Sequence, residues 1–424
     1  MKAFTAWKPP SAVANAMHLR HLSLTNFRNY ARLELDLPLG LTLVQGKNAQ
    51  GKSNLLEAIV YLATSKSLRA GSESELVRWD VREEPLPFTR LAAEIQRNHE
   101  IERLDITLMP GKNGNRFRKQ VRINGVNKRA MDLVGLMRTV IFRPEDVDLV
   151  SGSPGQRRRY LDIALCQMRP GYCRALSAYQ KILAQRNALL RNLAERGSHN
   201  AGEQLRYWDE KLVESGSQVV TSRQWLIIEL EKNAALLHLD LSGGVERLQL
   251  RYLPSFDPGK TPPASSQPYR RPQLLREWGV AYPDLQQEQA RASFLAHLHA
   301  SRSRDLAAGM TLVGPHRDDL GFYLGERNLR AYGSRGQQRT AALASKLAEV
   351  QIMTQVSSEA PILLLDDVMS ELDETRRAML LEVIPTVKQA IVTTTDWQYF
   401  SPELLAAAHR LHVHQGQLQI FDEA

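Results

Sequence analysis

Apolar and polar positions change period several times along this chain, and each change marks an element. His18-Leu19-Arg20-His21-Leu22-Ser23-Leu24 alternates as a half-buried strand does. Leu41 to Gln45 reads as a short strand running straight into a glycine-bearing loop, and Leu55, Leu56, Ile59 and Leu62 then recur at helical spacing. Residues from Leu91 to Val126 alternate again, with Asn124-Gly125 predicting a tight hairpin turn. From Arg157 to about Arg196 the stripes are helical (Leu161, Ile163, Ala164, then Leu176, Tyr179, Ile182, Leu183), with Pro170-Gly171 breaking one helix from the next. A further helix is expected over Leu205 to Leu237, then a strand over Leu248 to Tyr252. The Pro/Ser-rich passage of residues 254–272 has no period and reads as a mobile loop. After Pro283, Asp284 is the expected N-cap of a helix running to about Leu306. Thr311-Leu312-Val313 and a loop precede a long helix from Gln337 to about Val356. The apolar Ile362 to Leu365 and then Ile391-Val392 complete the pattern.

Strands and helices alternate at both ends while the middle is helical. That layout predicts an α/β fold assembled from both termini, residues 17–154 and 305–424, with a helical arm inserted over 155–304. Residues 1–16 lack the apolar stretch of a secretory leader. They are expected to be a disordered extension, with Met17 a candidate natural start. A length of 424 residues, 43% hydrophobic and 24% charged, suits two or three globular units. No apolar run reaches the ~18 residues that span a bilayer, so a cytoplasmic chain with no membrane role is expected. Cys166 and Cys173, the only cysteines, have a spacing that matches no common zinc or redox motif. Net charge is +9, and residues 111–170 hold 13 basic side chains against five acidic ones. Such a concentration points to a polyanion, and Lys112, Arg116, Arg118, Lys119, Arg122 and Arg157 are the candidate DNA contacts. Arg157-Arg158-Arg159 could instead pair with carboxylates at the root of the arm, since three successive residues of a helix cannot share one face.

The chemistry centres on Gly46-Lys47-Asn48-Ala49-Gln50-Gly51-Lys52-Ser53, which fits G-x-x-x-x-G-K-[ST]. Glycines let backbone N–H groups converge on a phosphate, and the following helix adds its positive end. Lys52 is expected to reach the β- and γ-phosphates of ATP, and Ser53 to offer a hydroxyl to Mg²⁺. Far downstream the apolar run Ile362-Leu363-Leu364-Leu365 ends in Asp366-Asp367. Asp366 is placed to hold the metal or its water, and Asp367 to orient or deprotonate the attacking water. Ser334, Gly336 and Gln337 form a second anion-binding turn at a helix start.

The order of phosphate loop, Ser-x-Gly-Gln turn, Asp-Asp strand and Ser370-Glu371-Leu372-Asp373 resembles the head of ABC-type P-loop ATPases. In that superfamily the serine turn of one subunit caps the γ-phosphate held by another. Asn26-Phe27-Arg28-Asn29-Tyr30, Asn48-Ala49-Gln50-Gly51-Lys52 and Pro144-Glu145-Asp146 narrow the resemblance to the RecF family of SMC-like repair ATPases. So do Ser153-Pro154, Arg157-Arg158-Arg159-Tyr160-Leu161-Asp162, Gly314-Pro315-His316-Arg317-Asp318-Asp319 and Thr393-Thr394-Thr395-Asp396. The resemblance runs from about Met17 nearly to the C-terminus. It implies a head with a short helical arm and an ATP-dependent, head-to-tail homodimer on DNA. It also implies slow hydrolysis that releases the DNA, and work with RecO and RecR in loading RecA at gapped DNA during repair and replication restart.

Three departures from the wider superfamily point to slow turnover. Thr395-Asp396 stands where a histidine is usual, Asp367 where a longer glutamate is usual, and Arg335 where a second glycine is common. ATP then times a clamp more than it fuels work. Two other classes fit parts of the pattern. One is an ATP-binding scaffold with negligible turnover; the other is the ATP-binding subunit of a transporter, which the basic middle and helical insertion disfavour. His316 and Arg317 could approach the nucleotide or a partner, or simply form a structural turn.

Overall fold

The computed structural model describes Trp7 and residues 17–82, 87–97, 100–111, 117–196, 200–262 and 269–421. Apart from Trp7, the expectation for residues 1–16 lies outside them, as do Lys112 and Arg116. The chain forms two compact units. The first comprises Met1–Asp146, Asp240–Gly244 and Leu343–Ala424; the second comprises Val147–Leu239 and Val245–Ala342.

In the first unit an antiparallel sheet runs, in spatial order, Tyr30–Asp36, His18–Phe27, Thr89–Arg97, Glu100–Pro110, Phe117–Ile123 and Val126–Lys128. The Asn124-Gly125 hairpin is present, with Ile123 opposite Val126 and both turn residues at positive φ (51° and 79°). Two adjacent positive φ values give the sharp right-handed twist that short hairpins favour. A second sheet runs Gln417–Ile420, His409–His414, Gly40–Gln45, Gln389–Thr394, Ile362–Leu365 and Thr139–Phe142. Its last five strands are parallel, and two of these neighbours come from opposite ends of the sequence: Gln45 pairs with Thr394. The helix Lys52–Thr64 packs against strands of both sheets, with Leu55, Leu56, Ile59 and Leu62 fully buried. A helix covered on two sides explains why its apolar residues exceed a single stripe.

The second unit is mainly helical, with Pro154–Met168, Pro170–Arg196, most of Ala201–Leu241, and Gln287–Ala308. Pro170 opens its helix at the first position, where the missing N–H costs nothing. Asp284 is not the cap expected for the last of these helices. The Leu285 N–H donates to the Tyr282 carbonyl in a preceding turn, and Gln286 occupies the cap instead. Residues 305–342, expected with the α/β head, also pack here, because Asp319–Leu324 pairs antiparallel with Leu248–Leu253. The described flank of the Pro/Ser-rich passage is packed where a mobile loop was expected. Phe256 is fully buried and stacks on Phe294, with ring centroids 4.8 Å apart. Residues 263–268 of that passage are outside the described set.

Candidate nucleotide site

The parallel sheet brings the loop and the two aspartates together. The Gly46 N–H donates to the Thr394 carbonyl at 3.1 Å, continuing the ladder past the end of its strand. A Cβ at Gly46 would stand 2.6 Å from the Val413 carbonyl oxygen, so only glycine lets the loop leave the sheet here. A Cβ at Gly51, itself at φ 124°, would stand 2.8 Å from Asn29 Nδ2 and 2.9 Å from the Tyr30 hydroxyl. Between these glycines Lys47, Asn48 and Ala49 are exposed.

Two hairpin turns grip Gln50. Its carbonyl accepts from Asn29 Nδ2 at 2.9 Å and from the Gly416 N–H at 3.0 Å, and its side-chain oxygen accepts from the Gln415 N–H at 2.7 Å. Tyr30 donates its hydroxyl to the Gly51 carbonyl at 3.0 Å. These brace residues were not singled out individually from sequence. The signal for Asn29 and Tyr30 was the Asn26–Tyr30 motif, which becomes a turn only when the strand before it pairs with the strand after it.

Lys52 is 3% exposed, yet its ammonium is fully partnered. Nζ donates to the carbonyls of Gly46 at 2.6 Å and Lys47 at 3.3 Å, and lies 3.2 Å from Asp367 Oδ2. Ser53 donates its hydroxyl to Asp366 Oδ1 at 2.8 Å, across 313 residues of sequence. Burial raises the pKa of the Asp366 carboxyl; the bond from Ser53 opposes that rise and the neighbouring Asp367 adds to it. Asp367 sits in the left-handed region at φ 51°, and its Oδ1 is buried with no hydrogen-bond partner among the described residues. Paired hard oxygens from Ser53 and Asp366 suit a small oxygen-seeking cation such as Mg²⁺. The arrangement can therefore cradle a polyphosphate, pair its charge with an ammonium and a divalent cation, and present a carboxylate beside it.

The second predicted anion element lies in the other unit. Ser334 and Gln337 form a reciprocal capping box: Ser334 Oγ accepts the Gln337 N–H at 3.2 Å, and Gln337 Oε1 accepts the Ser334 N–H at 2.9 Å. Gln337 Nε2 also donates to Glu246 at 2.7 Å. The helix Arg335–Ser357 that follows, with Gly336 in its first turn, has no acidic residue in that turn to satisfy its positive end. Ser334 and Arg335 are exposed.

Other candidates are spent inside the fold. Arg157 does not follow DNA phosphates here: it is 2% exposed, held by Asp319 at 2.7 and 2.9 Å, and donates to the Gly152 carbonyl at 2.8 Å. Lys119 is turned inward, with Nζ 2.6 Å from Glu73 and 2.7 Å from the Ser65 carbonyl. Arg138 pairs with Glu359, Arg143 with Asp146 and Arg129 with Asp132, so much of the basic stretch is neutralised within the chain. Arg118 and Arg122 remain exposed. His316 accepts from the Tyr179 hydroxyl at Nδ1 (2.6 Å) and donates from Nε2 to the Thr311 carbonyl (3.0 Å). Both nitrogens are thus used by a neutral ring, and burial pushes its pKa down to about 4. Cys166 and Cys173 lie on separate helices and form no disulfide.

Comparison with known proteins agrees with this architecture. Residues 18–414 match the family model described as the RecF/RecN/SMC N terminal domain. Curated relatives named DNA replication and repair protein RecF include one from Chloroflexus aurantiacus, 44% identical over 412 residues (95% of this chain and 99% of the relative). Another, from Herpetosiphon aurantiacus, is 40% identical over 411 residues (94% and 99%). Two solved structures of the recombination mediator protein RecF in the RecFOR pathway superpose with TM-scores of 0.79. The one described as RecF-ATPrS is 30% identical and covers 96% of this chain and 99% of that one; the one described as RecF-ATP is 31% identical and covers 96% and 98%.

Proposed function

The chain belongs to the RecF family, and from that premise we propose an ATP-dependent DNA-binding protein of replication and repair, closed as a head-to-tail dimer by the nucleotide. The observation that carries this reading is the convergence of Lys52, Ser53, Asp366 and Asp367 at the C-terminal ends of parallel strands. Backbone N–H groups of the loop bind the phosphates, and Lys52 pairs with their charge. Ser53 and Asp366 would hold Mg²⁺, which would supply charge neutralisation to the phosphates. Asp367 orients the attacking water and accepts its proton. Its carboxylate is one methylene shorter than the usual glutamate and is shared with Lys52, so turnover is slow. The exposed Ser334 turn caps the γ-phosphate held by a second copy, and the dimer encloses DNA until hydrolysis opens it. Arg118 and Arg122 are the described candidates for DNA contact, with Lys112 and Arg116 proposed beside them on sequence grounds. RecO and RecR are the proposed partners, and assistance in loading RecA at gapped DNA is the proposed outcome.

Ser334→Arg tests the dimer. In sedimentation with Mg²⁺ and ATP the parent protein is expected to shift from monomer to dimer. The variant should bind a fluorescent ATP analogue with parental affinity and stay monomeric. A variant that still dimerises with ATP removes Ser334 from the interface.

A further inference from the structure

The two aspartates of the candidate site share one buried neighbour that has been given no role. Thr393, on the strand Gln389–Thr394, is fully buried. Register places it one residue beyond the Leu365–Val392 pair, beside the point where the Asp366-Asp367 strand leaves the sheet. Its Oγ1 accepts the Asp367 N–H at 2.9 Å and lies 3.2 Å from Asp366 Oδ1 and 3.3 Å from the Leu365 carbonyl. The hydroxyl carries one proton, so it donates to Asp366 or to Leu365 while a lone pair holds the Asp367 N–H. A β-branched side chain has few rotamers, which fixes that oxygen in space.

Asp367 has reason to need the anchor. Its φ of 51° is a conformation that L residues adopt at a cost, and it opens the short turn Val368–Ser370. The N–H bond to Thr393 restrains that backbone, and the backbone in turn aims the carboxylate at Lys52. The same hydroxyl lies near the Asp366 oxygen to which Ser53 donates. We propose that Thr393 is a positioning residue for ATP turnover: one hydroxyl sets both the metal-holding carboxylate and the carboxylate that orients water. This rests on the roles assigned above to Asp366 and Asp367.

Thr393→Val replaces the hydroxyl by a methyl at nearly constant volume, and Thr393→Ser keeps the hydroxyl. Purified full-length proteins would be compared for ATP turnover per folded molecule, for thermal midpoint, and for the Mg²⁺ concentration that retains a fluorescent ATP analogue. Losses on removing an oxygen that orients a metal ligand are about 10- to 100-fold. The valine variant should lose turnover on that scale and need more Mg²⁺ for retention, while the serine variant recovers most of both. If the valine variant does not fold, Thr393→Ala carries the same readouts. Parental turnover and Mg²⁺ dependence in the valine variant overturn the proposal, as does a lowered thermal midpoint with both unchanged. Asp366→Asn separates this from the parent reading: retained turnover there overturns the site itself, whereas its loss beside a fully active Thr393→Val overturns only the role of Thr393.

Discussion

Two turns rich in glycine and charge, Gly46–Ser53 in one unit and Gly314–Asp319 in the other, use their polar groups in opposite ways. In the first, the Lys52 ammonium lies 3.2 Å from Asp367, Ser53 donates to Asp366, one Asp367 oxygen has no partner among the described residues, and the tip of the loop is exposed. In the second, each buried group is satisfied internally. His316 is held at both nitrogens, and Asp318 accepts from the Tyr252 hydroxyl and the Ser255 N–H. Asp319 is gripped by Arg157, and the Pro315 carbonyl accepts from Arg223. Both motifs look equally chemical when written as letters. A buried carboxylate oxygen left unpartnered beside an exposed loop tip marks chemistry, and a cluster in which every buried group is satisfied marks architecture.

Substitutions in the two turns should therefore fail in different assays. The largest effect is expected from Lys52→Arg, whose bulkier planar head cannot reproduce the contacts to two loop carbonyls and Asp367. Turnover should fall by about 100-fold or more with the thermal midpoint little changed, as steady-state kinetics and calorimetry would show. Unimpaired turnover would erase the contrast from the catalytic side.

Arg157→Met should do the reverse, costing about 3 kcal/mol of unfolding free energy by stranding Asp319 and the Gly152 carbonyl. Denaturant titration would measure it; a variant of parental stability but poor DNA affinity would return Arg157 to the DNA surface.

The smallest effect concerns His316, whose pKa is pushed down to about 4 by burial. A group depressed in the fold gives its full stability above the unfolded value near 6.5 and loses it as pH falls toward the folded value. Stability should thus drop by just under ~3 kcal/mol between pH 7 and pH 4 through this residue. His316→Gln should flatten that part of the profile, and an unchanged slope would show that the ring is not held neutral.

Secondary structure at the site was legible because strand and helix periods are local. The loop strand, the loop helix, the Ile362–Leu365 strand and the Asn124-Gly125 hairpin follow from patterns within a dozen residues. The fate of the basic stretch was not legible. Arg138 meets Glu359 across 221 residues and Arg157 meets Asp319 across 162, and no window on the sequence contains both partners. The assignment of residues 305–342 to a unit, and the packed flank of the Pro/Ser-rich passage, likewise depended on a strand pairing between Leu248–Leu253 and Asp319–Leu324.

By itself the sequence determined the residue types of a phosphate site, the order of its motifs and an α/β head drawn from both ends of the chain. Those features rest on backbone preference and hydrophobic period, which each segment carries within itself. Only the tertiary structure decided which charges are available. Thr393 beside Asp366 and Asp367, Gln50 held by two turns, and Arg157 spent on Asp319 all result from pairing distant strands and helices. The physical reason is that a charge must be solvated or paired, and burial, which is set by the whole fold, determines which of the two applies.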